Sequence, residues 1–329
     1  MIQRLADPLR LPDTLKHGVV AIGNFDGVHR GHQSVLAAAH DEAARRHVPL
    51  ICLTFEPHPR SVFQPEHPVP RLTPAPMKAR LLDAMGFDAV VEHPFDRAVA
   101  ALSAEAFVQE VLVGALEAKH VVVGFDFQFG ARRLGTPAFL AGAGAMHGFG
   151  VTVVEALNDA EGGVVSSSRI RSALAAGRVT EAADLLGYRW TIEATVTAGA
   201  QIGRTLGYPT ANMAFARDDL LGHGIYAVRF RRADGTLHDG VASYGRRPTF
   251  DNGAALFETY LFDFSGDLYG ETAEVSLFAF LRGEAKFDSV DALVAQMDDD
   301  AAEARRLLAA AAPLSPFDAA IAFASKAAD

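Results

Sequence analysis

Two histidines stand three residues apart in a glycine-rich stretch, Gly23-Asn24-Phe25-Asp26-Gly27-Val28-His29-Arg30-Gly31-His32. Imidazoles there can donate hydrogen bonds to an anion or ligate a metal. A zinc site would need a third protein ligand, and the Cys/His/carboxylate spacing for one is missing. Two readings remain: the rings cap and pack a helix start, or they brace phosphate oxygens as charge builds during transfer. A second cluster, Ser166-Ser167-Ser168-Arg169-Ile170-Arg171, offers hydroxyls and an arginine fork to phosphate, and equally offers helix caps. A third stretch, Gly203-Arg204-Thr205-Leu206-Gly207-Tyr208-Pro209-Thr210-Ala211-Asn212, is a glycine-rich loop without the Gly-Lys-Ser/Thr of a P-loop. Its Thr210 and Asn212 either satisfy the loop's own backbone or supply neutral oxygens of the kind Mg²⁺ accepts.

These residues need elements to hold them. The apolar run Val19–Ile22 reads as a buried strand and Gly31–His47 as a helix, so the first stretch is a strand-to-helix turn. Free N–H groups and the positive end of the helix dipole make such a turn an anion site. Further strands are expected at Leu50–Phe55, Ala89–Glu92, His120–Phe125 and Val151–Glu155. Helices are expected at Pro76–Gly86, Ser103–Leu116, Pro137–Met146, Ser168–Ala176 and Thr180–Leu186. This alternation predicts a parallel α/β sheet. From Tyr188 the period changes to two, in Arg189–Thr197, Gly224–Arg231, Asp239–Tyr244, Leu256–Phe264 and Ala273–Leu281, which predicts an antiparallel barrel or sandwich. A last helix is expected over Ser289–Ala311. The expected domains are 1–186 and 187–329.

The composition sets limits. A chain of 329 residues is about right for two domains. Its net charge of −10 makes it a poor general binder of nucleic acid or anionic membranes. The single cysteine, Cys52, leaves no intrachain disulfide and no cysteine-based zinc site. With no apolar leader and no stretch of ~20 apolar residues, the expected location is the cytoplasm. The sequence leaves the oligomeric state open.

Together, Gly-x-Phe-Asp-x-x-His-x-Gly-His and the later Ser-Ser-x-x-Ile-Arg resemble the adenylyltransferase superfamily. More narrowly, Gly23–His32, Thr54-Phe55-Glu56-Pro57-His58-Pro59 and Gly124-Phe125-Asp126-Phe127-Gln128-Phe129-Gly130 resemble the N-terminal module of prokaryotic bifunctional riboflavin kinase/FAD synthetases. The resemblance implies a Rossmann-like nucleotidyltransferase domain that moves AMP from ATP to FMN. In it His29 and His32 would hold the ATP phosphates. Gly23, Asn24, Phe25, Asp26 and Gly31 would line the nucleotide pocket. Asp126 would belong to the flavin/nucleotide cleft, and Ser166, Ser167, Ser168 and Arg171 would clamp phosphates.

The second half resembles the riboflavin kinase barrel of the same family. Gly203–Asn212 is followed in family order by Gly224-Ile225-Tyr226-Ala227-Val228, Gly245-Arg246-Arg247-Pro248-Thr249-Phe250, Asp267-Leu268-Tyr269-Gly270 and Leu281-Arg282. The resemblance implies that Gly203, Arg204, Gly207, Pro209 and Arg282 contact nucleotide or flavin, that Thr210 and Asn212 hold Mg²⁺ with ATP, and that Glu258 is the general base. Departures fall at flanking positions: Ala194, Ala198, Ala200-Gln201, Ser243-Tyr244 and Thr259-Tyr260. The expected partners are riboflavin, FMN, FAD and ATP/ADP. A single-activity enzyme with one decayed module, or a non-catalytic flavin-binding regulator, would predict loss of His29, His32, Arg171 or Glu258, and all are present.

Overall fold

The structure, a computed structural model, describes residues 2–198, 207–214, 220–246 and 255–324. The chain divides into two units, Met1–Ser167 and Ser168–Asp329. In the first, β1 (Gln3–Leu5) and β2 (Val19–Ile22) precede α1 (Arg30–Arg46), β3 (Leu50–Glu56), α2 (Pro59–Phe63) and α3 (Ala75–Ala84). Then come β4 (Ala89–Pro94), α4 (Arg97–Ala101), α5 (Ala104–Phe107), β5 (His120–Gly124), α6 (Pro137–His147) and β6 (Gly150–Val154). The strands form one sheet in the order β1-β4-β3-β2-β5-β6, and all its pairs are parallel. β2 is buried throughout and β3 through Phe55, as strands covered on both faces must be.

The chain leaves β2 toward β3 on one side of the sheet and reaches β5 on the other. The carboxyl ends of β2 and β5 therefore flank the topological switch point, where open α/β sheets bind ligands. The turns that follow these two strands begin at Gly23 and Phe125 and carry two of the motifs singled out above.

The second unit begins in α7 (Ser167–Ala175), followed by α8 (Val179–Leu186) with Gly187 in the left-handed conformation at its C-cap. Six strands follow: β7 (Thr191–Thr197), β8 (Thr210–Ala214), β9 (Gly224–Arg231), β10 (Leu237–Arg246), β11 (Ala255–Leu261) and β12 (Thr272–Arg282). They close into an antiparallel barrel in the order β10-β11-β8-β7-β12-β9. α9 (Val290–Ala309), capped by Ser289, packs over β9, β10 and β12.

The differences from expectation are local. β1 is a three-residue strand, too short for a period to register. Thr210–Ala214, read above as part of a loop, is a strand, because pairing with β11 and β7 outweighs its small, polar composition. The helix expected over Ser103–Leu116 is α5 followed by a π-helical run, Val108–Ala115. Beyond Pro316 a short helical segment was not expected. It is anchored by the fully buried Asp318, whose carboxylate accepts from the Arg189 backbone N–H at 2.8 Å and pairs with its guanidinium.

Candidate active sites

The turn after β2 is a strained piece of backbone. Phe25, Gly27 and Val28 have φ of +45°, +88° and +39°. For a β-branched residue such as Val28 that is an outlier, of the sort that persists where surroundings over-determine it. A Cβ at Gly23 would lie 3.0 Å from the Phe25 ring, so the ring would have to give way to any larger residue there.

Asp26 supplies the first restraint. It is 2% exposed, and its carboxylate accepts from the backbone N–H groups of Leu72 and Thr73 at 3.2 and 3.1 Å. Arg71 Nε lies 3.4 Å from it, and the Gly27 N–H donates back to Thr73 Oγ1 at 2.8 Å. Thus Asp26, expected to line the nucleotide pocket, spends its carboxylate on stapling the turn to residues 71–73. On the other flank the Ser167 hydroxyl donates to the Asp26 carbonyl at 2.9 Å.

His29 is the N-cap of α1. Its Nδ1 accepts from the His32 N–H at 3.2 Å, a cap worth about 1 kcal/mol. With Nδ1 an acceptor, a neutral His29 carries its proton on Nε2. The His32 ring stacks on His29 at a centroid distance of 3.6 Å and meets the edge of Phe25 at 5.4 Å. Burial, with the neighbouring His29 and Lys78, holds the His32 pKa well below the usual histidine value. Its Nδ1 and the Oδ1 of Asn24 are buried with no hydrogen-bond partner. Unpartnered buried polar atoms cost free energy unless something else satisfies them. Two of them beside a helix N-terminus fit an incoming polyanion and its base. Gly31 keeps the first turn of α1 open, since its Cβ would sit 3.3 Å from the His29 ring.

Four residues that the sequence reading gave no chemical role tie this turn together. Lys78 Nζ donates to the Asn24 carbonyl and Thr54 Oγ1, both at 2.9 Å, and to Glu56 Oε1 at 3.3 Å. Arg71 forks onto Glu56 at 2.7 and 2.6 Å. Burial, and then Arg71, push the Lys78 ammonium pKa down, while Glu56 opposes them. Burial alone would raise the Glu56 pKa, but Arg71 and Lys78 outweigh it and bring it below the usual carboxylate value. The one available signal was a lysine beside Met77, Ala79, Leu81 and Leu82, and with Arg80 two residues on it reads as a helix surface residue.

Asp126 is exposed two residues beyond β5, its Oδ1 close to Gly124. Ser166 is partly buried beside the turn's flank. Ser168 and Arg171 lie in α7 and belong to the second unit.

In the barrel, strand register does the positioning. Glu258 of β11 lies directly opposite Asn212 of β8 on one side and Ser243 of β10 on the other, and Asn212 lies opposite Thr197 of β7. Directly paired residues share a face, so Ser243, Glu258, Asn212 and Thr197 form one lateral row. Thr210 is two residues before Asn212 and therefore on the same face, opposite Tyr260. In β11, Phe257, Thr259 and Leu261 are buried, whereas Glu258 and Tyr260 are partly exposed, so Glu258 faces outward from the barrel; Asn212 in the same row is buried, 4% exposed.

Gly207, at φ +85°, and Pro209 lead into this strand. Between them Tyr208 packs on Tyr260 at 4.7 Å, and its hydroxyl donates a hydrogen bond to Asp298 of α9. Arg282 ends β12 with its guanidinium forked onto Asp300, three contacts of 2.6 to 3.1 Å. Gly203 and Arg204 lie outside the described residues. Among the described residues no group of three or more His, Cys, Asp or Glu is placed to hold a metal. Neutral oxygens with one carboxylate nearby fit a Mg²⁺ that keeps most of its ligands from phosphate and water.

A family model described as FAD synthetase matches residues 11–169, and one described as riboflavin kinase matches residues 186–308. A bifunctional riboflavin kinase/FMN adenylyltransferase of Escherichia coli (strain K12) is 39% identical over 296 residues, covering 90% of this chain and 94% of that protein. Its counterpart in Listeria monocytogenes is 40% identical over 294 residues, covering 88% and 92%. A crystal structure described as a macrolide-efflux protein from Streptococcus pneumoniae superposes with a TM-score of 0.83 at 33% identity, covering 93% of this chain and 99% of that one. No helix among the described residues here is long and apolar enough to cross a membrane.

Proposed function

The chain belongs to the bifunctional riboflavin kinase/FMN adenylyltransferase family, and we propose on that premise that it makes FAD from riboflavin in two ATP-dependent steps. Residues 1–186 would act as the FMN adenylyltransferase module and 187–329 as the riboflavin kinase module, in the cytoplasm. The observation that carries the reading is the placement of one pair of motif residues in each half. The stacked His29–His32 pair caps a helix at the switch point, and Glu258 sits opposite Asn212 on adjacent strands.

In the kinase step the riboflavin 5′-hydroxyl attacks the γ-phosphorus of ATP. Glu258 takes the hydroxyl proton, the bond between the β,γ-bridging oxygen and the γ-phosphorus breaks, and ADP leaves with FMN formed. Mg²⁺ bound with ATP would neutralise phosphate charge, and Thr210 and Asn212 are the residues that would hold it. Gly203, Arg204, Gly207 and Pro209 are assigned to nucleotide or flavin contact on the motif alone. Arg282 is assigned to nucleotide or flavin contact on the same ground, with Asp300 holding its guanidinium.

In the second step an FMN phosphate oxygen attacks the α-phosphorus of ATP and pyrophosphate leaves. The nucleophile is already an anion, so positioning and charge neutralisation supply most of the catalysis. His29 donates from Nε2, and His32 offers Nδ1, which the turn leaves unpaired. Approach of a polyphosphate favours the charged imidazole and opposes the burial that keeps His32 neutral. Ser166, Ser167, Ser168 and Arg171 are assigned to the same phosphates on the strength of their motif.

Incubating the purified protein with riboflavin and Mg-ATP, and separating the flavins by chromatography, tests the reading. Both FMN and FAD should form. FMN without FAD would leave a kinase alone, and neither would leave a flavin-binding protein.

A further inference from the structure

Lys78 is 1% exposed and sits on the apolar side of α3, beside the buried Met77, Ala79, Leu81 and Leu82. A lysine is almost never fully buried unless its charge is matched. Here all three Nζ protons have acceptors: the Asn24 carbonyl, Thr54 Oγ1 and Glu56 Oε1. The Thr54 hydroxyl in turn donates a hydrogen bond to the same Asn24 carbonyl at 3.2 Å. One backbone oxygen thus receives two donors, one of them a buried ammonium. That oxygen belongs to the peptide leading into Phe25, where the chain enters its left-handed turn.

The opposite end of the turn hangs from the same network. Glu56 binds both Lys78 and Arg71, Arg71 reaches Asp26, and Asp26 staples the turn to Leu72 and Thr73. Between these two anchors lie the Asn24 side chain and the rings of Phe25 and His32. Asn24 Oδ1 and His32 Nδ1 there are buried and without a partner. The network thus fixes the backbone carbonyl of the residue whose own side-chain oxygen has no partner.

We propose that Lys78 is a positioning residue for adenylyl transfer: through the Asn24 carbonyl it holds the turn in the conformation that receives ATP. The inference rests on the reading that this turn is the ATP site of the adenylyltransferase. Lys78 itself touches no substrate. Its contribution is pre-organisation, which lowers the ordering cost of binding and so shows in the KM for ATP more than in the amount of folded enzyme.

Two variants test it. Lys78→Met keeps the length of the side chain and removes the ammonium, and Thr54→Val removes the hydroxyl that shares the carbonyl. FAD formation from supplied FMN is followed as a function of ATP concentration, with FMN formation from riboflavin as the internal control in the same protein. Lys78→Met should raise the adenylyl-transfer KM for ATP about tenfold and Thr54→Val about threefold, tenfold corresponding to ~1.4 kcal/mol. Kinase parameters should stay within about twofold, below the energy of one such bond.

A lowered unfolding midpoint with an unchanged KM in both variants would make the cluster a structural pair and overturn the proposal. Should Lys78→Met fail to fold, an unchanged KM in Thr54→Val overturns it by itself. His29→Ala, measured alongside, separates the two readings. If His29→Ala loses FAD formation while the KM is unmoved in the other variants, the positioning role fails and the site assignment stands. If His29→Ala still makes FAD at the original rate, the site assignment fails and takes the positioning role with it.

Discussion

The turn after β2 carries its chemistry within ten consecutive residues, whereas the barrel row takes Thr210 and Asn212 from one strand and Glu258 from another. The first site is made of backbone bent into a left-handed path, and such a path does not hold itself. It is held by Asp26, Arg71, Glu56 and Lys78, four charged side chains that are buried or partly buried. The second site takes its aim from the pleat and register of paired strands, which bring Thr210, Asn212 and Glu258 to one face. A loop site therefore depends on residues that never touch substrate. A strand site depends mainly on the side chains in the row.

The sharpest way to break this comparison is to remove one side chain from each site. Glu258→Gln keeps the shape of β11 and removes the proposed base, so riboflavin phosphorylation should fall by about 10²–10⁴ while supplied FMN is still converted to FAD. His29→Ala should stop the chain at FMN, with a loss of about 10²–10³ in adenylyl transfer. It also removes the α1 cap, so some of that loss arrives as disorder in the turn. Chromatography of the flavins reads both. Either variant abolishing both activities while folded would refute the assignment of two separate sites.

The sequence made the two sites unequally legible. The strand-to-helix turn was visible because Val19–Ile22 has no polar residue and the glycines and histidines follow at once. The expected bounds of β2 and β9 match the structure to the residue. Thr210 and Asn212 read as loop, because five residues of small and polar type carry no strand period and the pairing that makes them β8 comes from β11 and β7. Glu258 alone read as a solvated residue on a strand, and only the register against Asn212 places it beside a second chemical group. The scaffold of the first site was hidden for another reason. Arg71, Lys78 and Glu56 sit on three different segments, and a buried ion network has no period along the chain.

Asp26→Ala sharpens the contrast at the level of stability. It leaves the Leu72 and Thr73 N–H groups buried without acceptors, at a cost of about 1–3 kcal/mol for each unsatisfied group. The loss should be confined to the first unit. The single tryptophan, Trp190, is buried in the second, so its fluorescence reports that unit. Denaturation followed by far-ultraviolet circular dichroism should show the first transition moving to lower urea, while the Trp190 curve keeps its midpoint. A parallel shift in both curves would mean that the scaffold supports more than its own turn.

The smallest expected effect is on pH dependence. His120 opens β5, with Nε2 at 2.8 Å from Thr152 Oγ1, Nδ1 at 3.3 Å from a Glu42 oxygen and Arg46 at 3.2 Å. Arg45 and Arg46 also pair with that Glu42 carboxylate. Burial, then Arg46 and Arg45, bring the His120 pKa down from 6.5 to about 4. The unfolded chain takes up that proton near 6.5, and the folded ring refuses it until about 4. Stability from the neutral ring is therefore complete above pH 6.5, falls as the pH drops toward 4, and loses nothing more below that. His32 acts with the same sign. No histidine among the described residues of the second unit is buried. Between pH 6.5 and 4 the dichroism transition of the first unit should move to lower urea more steeply than the Trp190 transition. His120→Asn should flatten, without abolishing, that difference, since His32 remains. Equal slopes for the two units in the parent protein would show that the buried histidines of the first do not govern its response to acid.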